Sequence, residues 1–366
     1  MKRRLSCSFI ALIGALLLAT PVFAQAAAPA AKPATKADTS FIRFGEAAKP
    51  RTPGTIRVAT YNVLNFFDSD PATRTHSEGD AAPIKPEGER EAAAGAIRAI
   101  NADVVALEEV ESLAVVKAFV AKYLADMGYE HAVLIESEDP RGIDNAVISR
   151  FPIVHSEAYG QRPLGGKQPA LEGNRPNPLA GNDMVFRRSP LRADIKIPGK
   201  AFGGGEEDSY QLTLIAVHHK SGRWSEYWRL AEANGVLSII KEIEAKNPAA
   251  NVVVLGDFNA QVTDAPIQAY LAGGLIDTFA AKSAQWSPSV VSHESGRRID
   301  LILLNKNAND EFVADSPFVF GMPARPEGAD WRRTAPPEGY ASDHYPVVID
   351  LKPGKAESTQ PKNSKQ

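Results

Sequence analysis

Asn251-Val252-Val253-Val254-Leu255-Gly256-Asp257-Phe258-Asn259 reads as a short buried strand that delivers two polar side chains to its end. Its β-branched run and leucine follow the turn signal Asn247-Pro248, and Gly256 closes it. Side chains alternate along an extended segment, so with Phe258 turned away Asp257 and Asn259 face one side. An anionic acceptor beside a neutral amide can hold a water or a phosphoryl oxygen. Polar pairs after hydrophobic strands also serve as turns and helix caps, so their companions must decide.

The 366-residue chain opens with Lys2-Arg3-Arg4, continues through an apolar run from Phe9 to Ala19 and reaches Val22-Phe23-Ala24 before Gln25. That is the three-part layout of a secretory signal peptide, and the apolar run is short for a bilayer span. Cleavage of residues 1–24 is therefore expected, with export to the periplasm or the extracellular space and no stable membrane insertion afterwards. The only cysteine, Cys7, lies inside this segment, so an exported form must be held by its core or by bound metal rather than by disulfides. Losing Lys2, Arg3 and Arg4 takes the formal charge from −3 to −6. A mildly acidic surface excludes a general polyanion binder, so contact with nucleic acid must come from local basic loops or bridging cations.

Residues 25–54 are rich in Ala, Pro, Lys and Thr and read as a linker, and residues 353–366 read as a disordered tail. Between them, 55–352 has the length of one large α/β domain without an internal repeat. Strand patterns fall at 56–63, 103–110, 131–136, 145–149, 153–159, 187–197, 210–218, 299–305, 312–320 and 345–351. Helical patterns fall at 89–100, 112–127, 226–246 and 264–271, and 160–182 reads as a long loop. Strands that alternate with helices in some places and follow one another in others indicate mixed sheets with helices outside.

Several of these strands end in a polar residue where the strand gives way to a loop: Asn62, Glu109, His218, the Asp257/Asn259 pair and Asp300. Ser342-Asp343-His344 leads into the last strand. A strand rim assembled from distant parts of a sequence is how α/β enzymes place catalytic groups on rigid supports. Carboxylates near histidines, with two neutral amides, suit metal-assisted attack of water on phosphorus. A hard cation such as Mg²⁺ takes oxygen ligands and keeps several waters, an imidazole held by a carboxylate can accept a proton near neutral pH, and amides can bind the oxygens on which charge develops.

Asn62 in its Tyr-Asn-Val setting, Leu107-Glu108-Glu109-Val110, Gly256-Asp257-Phe258-Asn259, Ile299-Asp300-Leu301 and Ser342-Asp343-His344 together resemble, in order and spacing, the endonuclease/exonuclease/phosphatase superfamily. Within it the chain resembles exported bacterial members with a deoxyribonuclease-I-like domain. The resemblance implies a four-layered α/β sandwich, in which two packed mixed β-sheets are flanked by helices. It implies Glu109, Asn62 and Asp343 on the side of a metal, Mg²⁺ or Mn²⁺, with Ca²⁺ as a further candidate. It implies His344 oriented by Asp300, Asp257 and Asn259 handling water and transition state, and His218 binding phosphate. The family has glutamine where this chain has Glu108; on an alternating strand Glu108 would face away from Glu109's side.

His218 and His219 cannot both face the site from one strand, and the resemblance selects His218. Lys220, Arg223, Trp224 and Arg229 after it could contact nucleic acid by stacking and phosphate binding, or pack around the start of a helix. Arg325, Trp331, Arg332 and Arg333 raise the same question. His76, His131, His155 and His293 carry no motif and read as structural or surface residues. The expectation is a monomeric, exported, metal-dependent nuclease cutting DNA or RNA with water activated by His344. Hydrolysis of a phospholipid or small phosphate ester is the alternative, and a binding module without catalysis ranks third.

Overall fold

The computed structural model describes residues 41–67, 83–137, 139–283, 285–330 and 333–354. The signal peptide, the start of the linker, His76, Trp331, Arg332 and the tail from 355 lie outside the described residues. The chain runs β1 (Ile56–Phe66), α1 (Glu87–Ile100), β2 (Val104–Val110), α2 (Leu113–Tyr123), β3 (His131–Leu134), β4 (Asp144–Ser149) and β5 (Ile153–Ala158). The segment read as one long loop instead folds into two small hairpins. In these, β6 (Pro163–Lys167) pairs with β9 (Asp183–Val185), and β7 (Leu171–Glu172) pairs with β8 (Arg175–Pro176). Next come β10 (Leu191–Pro198), β11 (Ser209–His218), α3 (Glu226–Lys246), β12 (Asn251–Asp257), α4 (Ala265–Ala272) and β13 (Ile276–Asp277). The order closes with β14 (Asp300–Leu304), α5 (Lys306–Asp310), β15 (Phe318–Val319) and β16 (Val347–Leu351).

Two six-stranded sheets result, ordered β15-β16-β1-β2-β4-β3 and β13-β14-β12-β11-β10-β5. Alternation sorts the apolar residues between layers. Leu212, Leu214, Val253, Leu255, Ile302 and Leu304 join residues of the first sheet in one core. Ile215, Val217, Val252, Val254, Leu301 and Leu303 face the other way, onto α3 and α4. Ala93, Ile97 and Ile100 of α1, with Val116 and Phe119 of α2, cover the far side of the first sheet. The outcome is the expected sandwich of helices, sheet, sheet and helices.

Each sheet contains a parallel pair joined through a helix: β1 with β2 through α1, and β11 with β12 through α3. Parallel strands bring their C-terminal ends to the same rim, and these are the ends that carry Asn62, Glu109, His218 and Asp257. β14 and β16 are antiparallel to their neighbours, so they begin where the others finish. Asp300 accordingly starts its strand, directly opposite Asp257, rather than ending one as the sequence suggested. His344 precedes β16 at that rim.

The folded part also starts earlier than the expected boundary at 55. Residues 41–46 run along the domain, with bridges from Ile42 to Pro323 and from Glu46 to Phe320. Arg57, buried in an ion pair with Asp350 at 2.7 Å, also donates to the carbonyls of Lys49 and Pro50. One guanidinium thus ties residues 49–50 to β1 and β16.

Gly256 is required by close approach. Its φ of +138° lies where side chains are strained, and a Cβ there would sit 1.9 Å from the Val217 carbonyl oxygen on β11. Gly256→Ala is expected to lower the urea midpoint, with a loss of about 3 kcal/mol or more at unchanged m-value. A wild-type midpoint would contradict this packing of β12 on β11.

Candidate functional site

Asp257 is the meeting point of the rim. Its Oδ2 accepts from Asn62 Nδ2 of the opposite sheet at 3.2 Å and from Asn259 Nδ2 at 3.0 Å. The same oxygen lies 3.4 Å from His218 Nε2 and 3.8 Å from His344 Nε2. Oδ1 accepts the Asn259 backbone N–H at 2.8 Å, which closes a turn with Asn259 at φ +49°. Burial pushes the Asp257 carboxyl up to about 6, against the pull of the His344 charge.

His344 is held from behind. Its Nδ1 lies 2.9 Å from both oxygens of Asp300. Asp300 is fixed in turn by Ser292, whose hydroxyl donates to Oδ2 at 2.8 Å and accepts the Ile299 and Asp300 backbone N–H groups. Burial works against charge on this imidazole, but the Asp300 and Asp257 carboxylates outweigh it and hold its pKa well above the usual histidine value. His218 is displaced the opposite way. Burial, reinforced by the charges of Arg188 and Arg141, holds it neutral. The site therefore pairs a cationic imidazole with a neutral one.

The two glutamates of β2 do not obey alternation. Glu109 adopts φ +65°, the register of β2 against β1 and β4 shifts there, and its carboxylate swings to within 3.8 Å of His218 Nε2. Asn65 N–H and Arg141 Nη2 both donate to Glu109 Oε2, at 2.8 and 3.2 Å. Glu108 does not face away as strand alternation suggested. It stands in register with Asn62, is fully buried, and accepts from Thr60 Oγ1 at 2.7 Å. Burial raises its carboxyl well above the ordinary value, and the charges of Asp300 and Asp257 reach it. Lys85, buried and donating to the Leu64 carbonyl at 3.0 Å, supports the left-handed turn at Leu64 and Asn65 that brings the Asn65 N–H to Glu109.

The chemistry of the donor set suits a hard cation. Among the described residues Asp343 Oδ1 is buried without a hydrogen-bond partner, and Glu109 offers a second carboxylate on the same rim, beside His218. Asn62 fits less directly, because its Oδ1 already accepts the Leu64 N–H at 3.0 Å while its Nδ2 serves Asp257. His219 turns to the opposite side, against Tyr270 and Glu232, leaving His218 in the site.

The expected substrate contacts separate. Arg229 is corrected to a loop-holding residue: it is buried and donates to the carbonyls of Lys220 and Gly222 at 3.0 and 2.9 Å. Lys220 reaches the Ser221 carbonyl and stands over the Trp228 ring, while Arg223 stacks on Trp224, which is exposed. Ser292, Arg141 and Lys85 escaped the sequence reading because none sits in a recognisable spacing, and His293 was read as structural or surface. Glu108 and Ser342 were inside quoted motifs but without a role; the Ser342 hydroxyl donates to the Asn62 carbonyl at 2.7 Å.

The model of the Endonuclease/Exonuclease/phosphatase family matches residues 59–344. Among solved structures, the human Nocturnin catalytic domain with bound sulfate is 17% identical, covers 82% of this chain and 94% of its own, and superposes with a TM-score of 0.50. Danio rerio TDP2 complexed with single-strand DNA product is 17% identical over 81% of this chain and 98% of its own, with a TM-score of 0.51. A mannosyl-6-phosphatase of Bacteroides thetaiotaomicron is 19% identical over 81% and 99%, with a TM-score of 0.48. No curated protein matches the chain by sequence.

The ion pair behind His344 has a direct spectroscopic consequence. In metal-free protein, nitrogen NMR is expected to show the His344 ring keeping both protons to a pH above its ordinary pKa of 6.5. Asp300→Asn removes the nearest negative charge, so the pKa should fall and the ring should deprotonate at lower pH. An identical titration in the two proteins would contradict the assignment of Asp300 as its partner.

Proposed function

The chain belongs to the endonuclease/exonuclease/phosphatase family, and we propose that it is an exported, divalent-metal-dependent phosphodiesterase that cuts nucleic acid. The observation that carries this reading is an open groove that meets the rim at His293 and Asp343, the neighbours of His344. The groove holds about 1200 Å³ and is lined by Arg43, Phe44, Trp286, Arg325 and Tyr340 as well as by Asp343. That exceeds the space a small ester needs, and an open trough suits a polymer. Trp286 is 71% exposed there and offers a face for a base, while Arg43 and Arg325, both bonded to Glu294, put positive charge on the wall beside it. The Met1–Ala24 signal layout supports export.

Glu109 and Asp343 would hold the cation, Mg²⁺ or Mn²⁺, which when bound would polarise a phosphoryl oxygen as a Lewis acid. Asp257 and Asn259 form the polar notch in which the attacking water sits. Asp257 takes the proton in this reading, because its carboxyl lies at about 6 and can accept near neutral pH. This departs from the sequence-based expectation that His344 is the base, since the carboxylates around His344 hold it charged. His344 instead presents Nε2–H to an oxygen on which charge builds, with Asp300 behind it, and neutral His218 donates to another.

The test uses the chain lacking Met1–Ala24 on supercoiled plasmid, on RNA and on bis(4-nitrophenyl) phosphate, in Mg²⁺ and then in chelator. Nicking or degradation that chelator stops, and that Asp257→Ala and His344→Ala each reduce by about a thousandfold or more at intact fold, is expected. Turnover of the small diester without action on nucleic acid would move the reading to a small or lipid phosphoester. Full activity in either variant would sink the site assignment.

A further inference from the structure

We infer that His293 is a positioning residue that holds the Asp343 carboxylate in place for a divalent cation, without being a ligand itself. The inference rests on the reading of Asp343 as a metal-side carboxylate. The segment around His293 is stitched to the segment around His344 by backbone bonds. Glu294 N–H donates to the Asp343 carbonyl at 2.7 Å, Tyr345 N–H donates to the Ser292 carbonyl at 2.8 Å, and His293 bridges both Arg297 and His344. The His293 ring packs edge-on against the His344 ring, with centroids 4.5 Å apart and planes at 80°. Its rotamer is therefore confined on one face by a site residue.

The hydrogen bonds fix its tautomer. The Ser295 backbone N–H donates to His293 Nδ1 at 2.9 Å. Ser295 Oγ lies 2.7 Å from the same nitrogen, and Arg297 Nε donates to that hydroxyl at 2.8 Å. The backbone N–H can only donate, so Nδ1 is an acceptor and the hydroxyl turns its hydrogen to it. A nitrogen that receives two donors is bare, so the ring proton sits on Nε2. Nε2 faces Asp343 Oδ2 at 3.4 Å.

Asp343 is thus divided between two tasks. Oδ2 faces the His293 Nε2–H at 3.4 Å, and among the described residues Oδ1 is buried without a hydrogen-bond partner, with His344 Nε2 3.9 Å away. A carboxylate anchored through one oxygen and bare at the other is the arrangement that presents a ligand atom without rotational freedom, and outer partners of this kind tune metal affinity. His293, Asp343 and His344 lie close enough together to suggest a direct three-residue ligand set. The tautomer argues otherwise, since ligation through Nε2 would need a lone pair there, would move the proton to Nδ1 and would break the bond from the Ser295 N–H.

Calorimetric titration of the full chain with Mn²⁺ tests this independently of any substrate, using wild type, His293→Ala, His293→Gln and Asp343→Ala. His293→Ala is expected to weaken Mn²⁺ binding about 10- to 100-fold. His293→Gln, whose side-chain amide reaches the Nε2 position with an N–H, should recover most of the loss, and turnover at saturating Mn²⁺ should change far less than the affinity. Wild-type affinity in His293→Ala would overturn the inference. So would a His293→Gln protein that folds normally yet binds as weakly as the alanine variant, because that pattern marks the imidazole as a ligand. If His293→Ala does not fold, the glutamine variant decides. Unchanged binding in Asp343→Ala would overturn the inference by removing its premise, and would show that the metal reading of this rim had failed rather than the role of His293 alone.

Discussion

A single carboxylate oxygen, Asp257 Oδ2, is the point through which the two sheets communicate. It accepts from Asn62 across the sandwich and from Asn259 on its own chain segment, and both site histidines stand within 3.8 Å of it. Asp257 is 2% exposed at the edge of a core made of Val, Ile and Leu, where an unpaired carboxylate would be costly. The structure meets that demand with donors drawn from β1, β11, the turn after β12 and the segment before β16. Each of those donors is also a group a phosphoester hydrolase needs. The requirement to satisfy a buried charge and the requirement to assemble a site converge on one set of residues.

That convergence explains why the backbone departs from regular geometry at this rim. Glu109, Asn259, Leu64 and Asn65 all have positive φ, and Gly256 is forced by the approach of β11. A regular β2 would send Glu109 to the helix side of the sheet. The left-handed residue instead adds the Glu109 carboxylate to the rim while Glu108 stays buried beside Thr60. Non-glycine residues in this region cost energy that the surroundings must hold in place. Here the Asn65 N–H, Arg141 and Lys85 supply the restraint.

The sandwich and the main rim residues were legible in the sequence because they depend on short, uninterrupted patterns. A valine run ending in Gly-Asp-Phe-Asn and a serine-aspartate-histidine step before a strand are local signals, and their order along the chain carries the fold. What could not be read depends on geometry between distant segments. Glu108 was expected to face away because alternation is a rule for regular strands, and the bulge that breaks it leaves no mark in composition. His293 and Ser292 act through a turn that only tertiary pairing with residues 343–345 explains. Arg229 has the composition of a phosphate contact, yet its guanidinium is used on the carbonyls of its own loop. Residues 41–46, Phe-Ile-Arg-Phe-Gly-Glu, were counted with the Ala- and Pro-rich linker around them but are fixed by backbone pairing to 319–324.

The central claim is that this rim separates a cation site, built on Glu109 and Asp343, from a proton-handling set built on Asp257, His344 and Asp300. The most direct measurement is a crystal soaked in Mn²⁺ and recorded at a wavelength where manganese scatters anomalously. The account requires an anomalous peak within ligand distance of the Glu109 carboxylate and Asp343 Oδ1, with the Asp257, His344 and Asp300 set left free of metal. A peak held by Asp257, Asp300 and His344 would contradict it, because those groups would then be ligands and could not handle the proton.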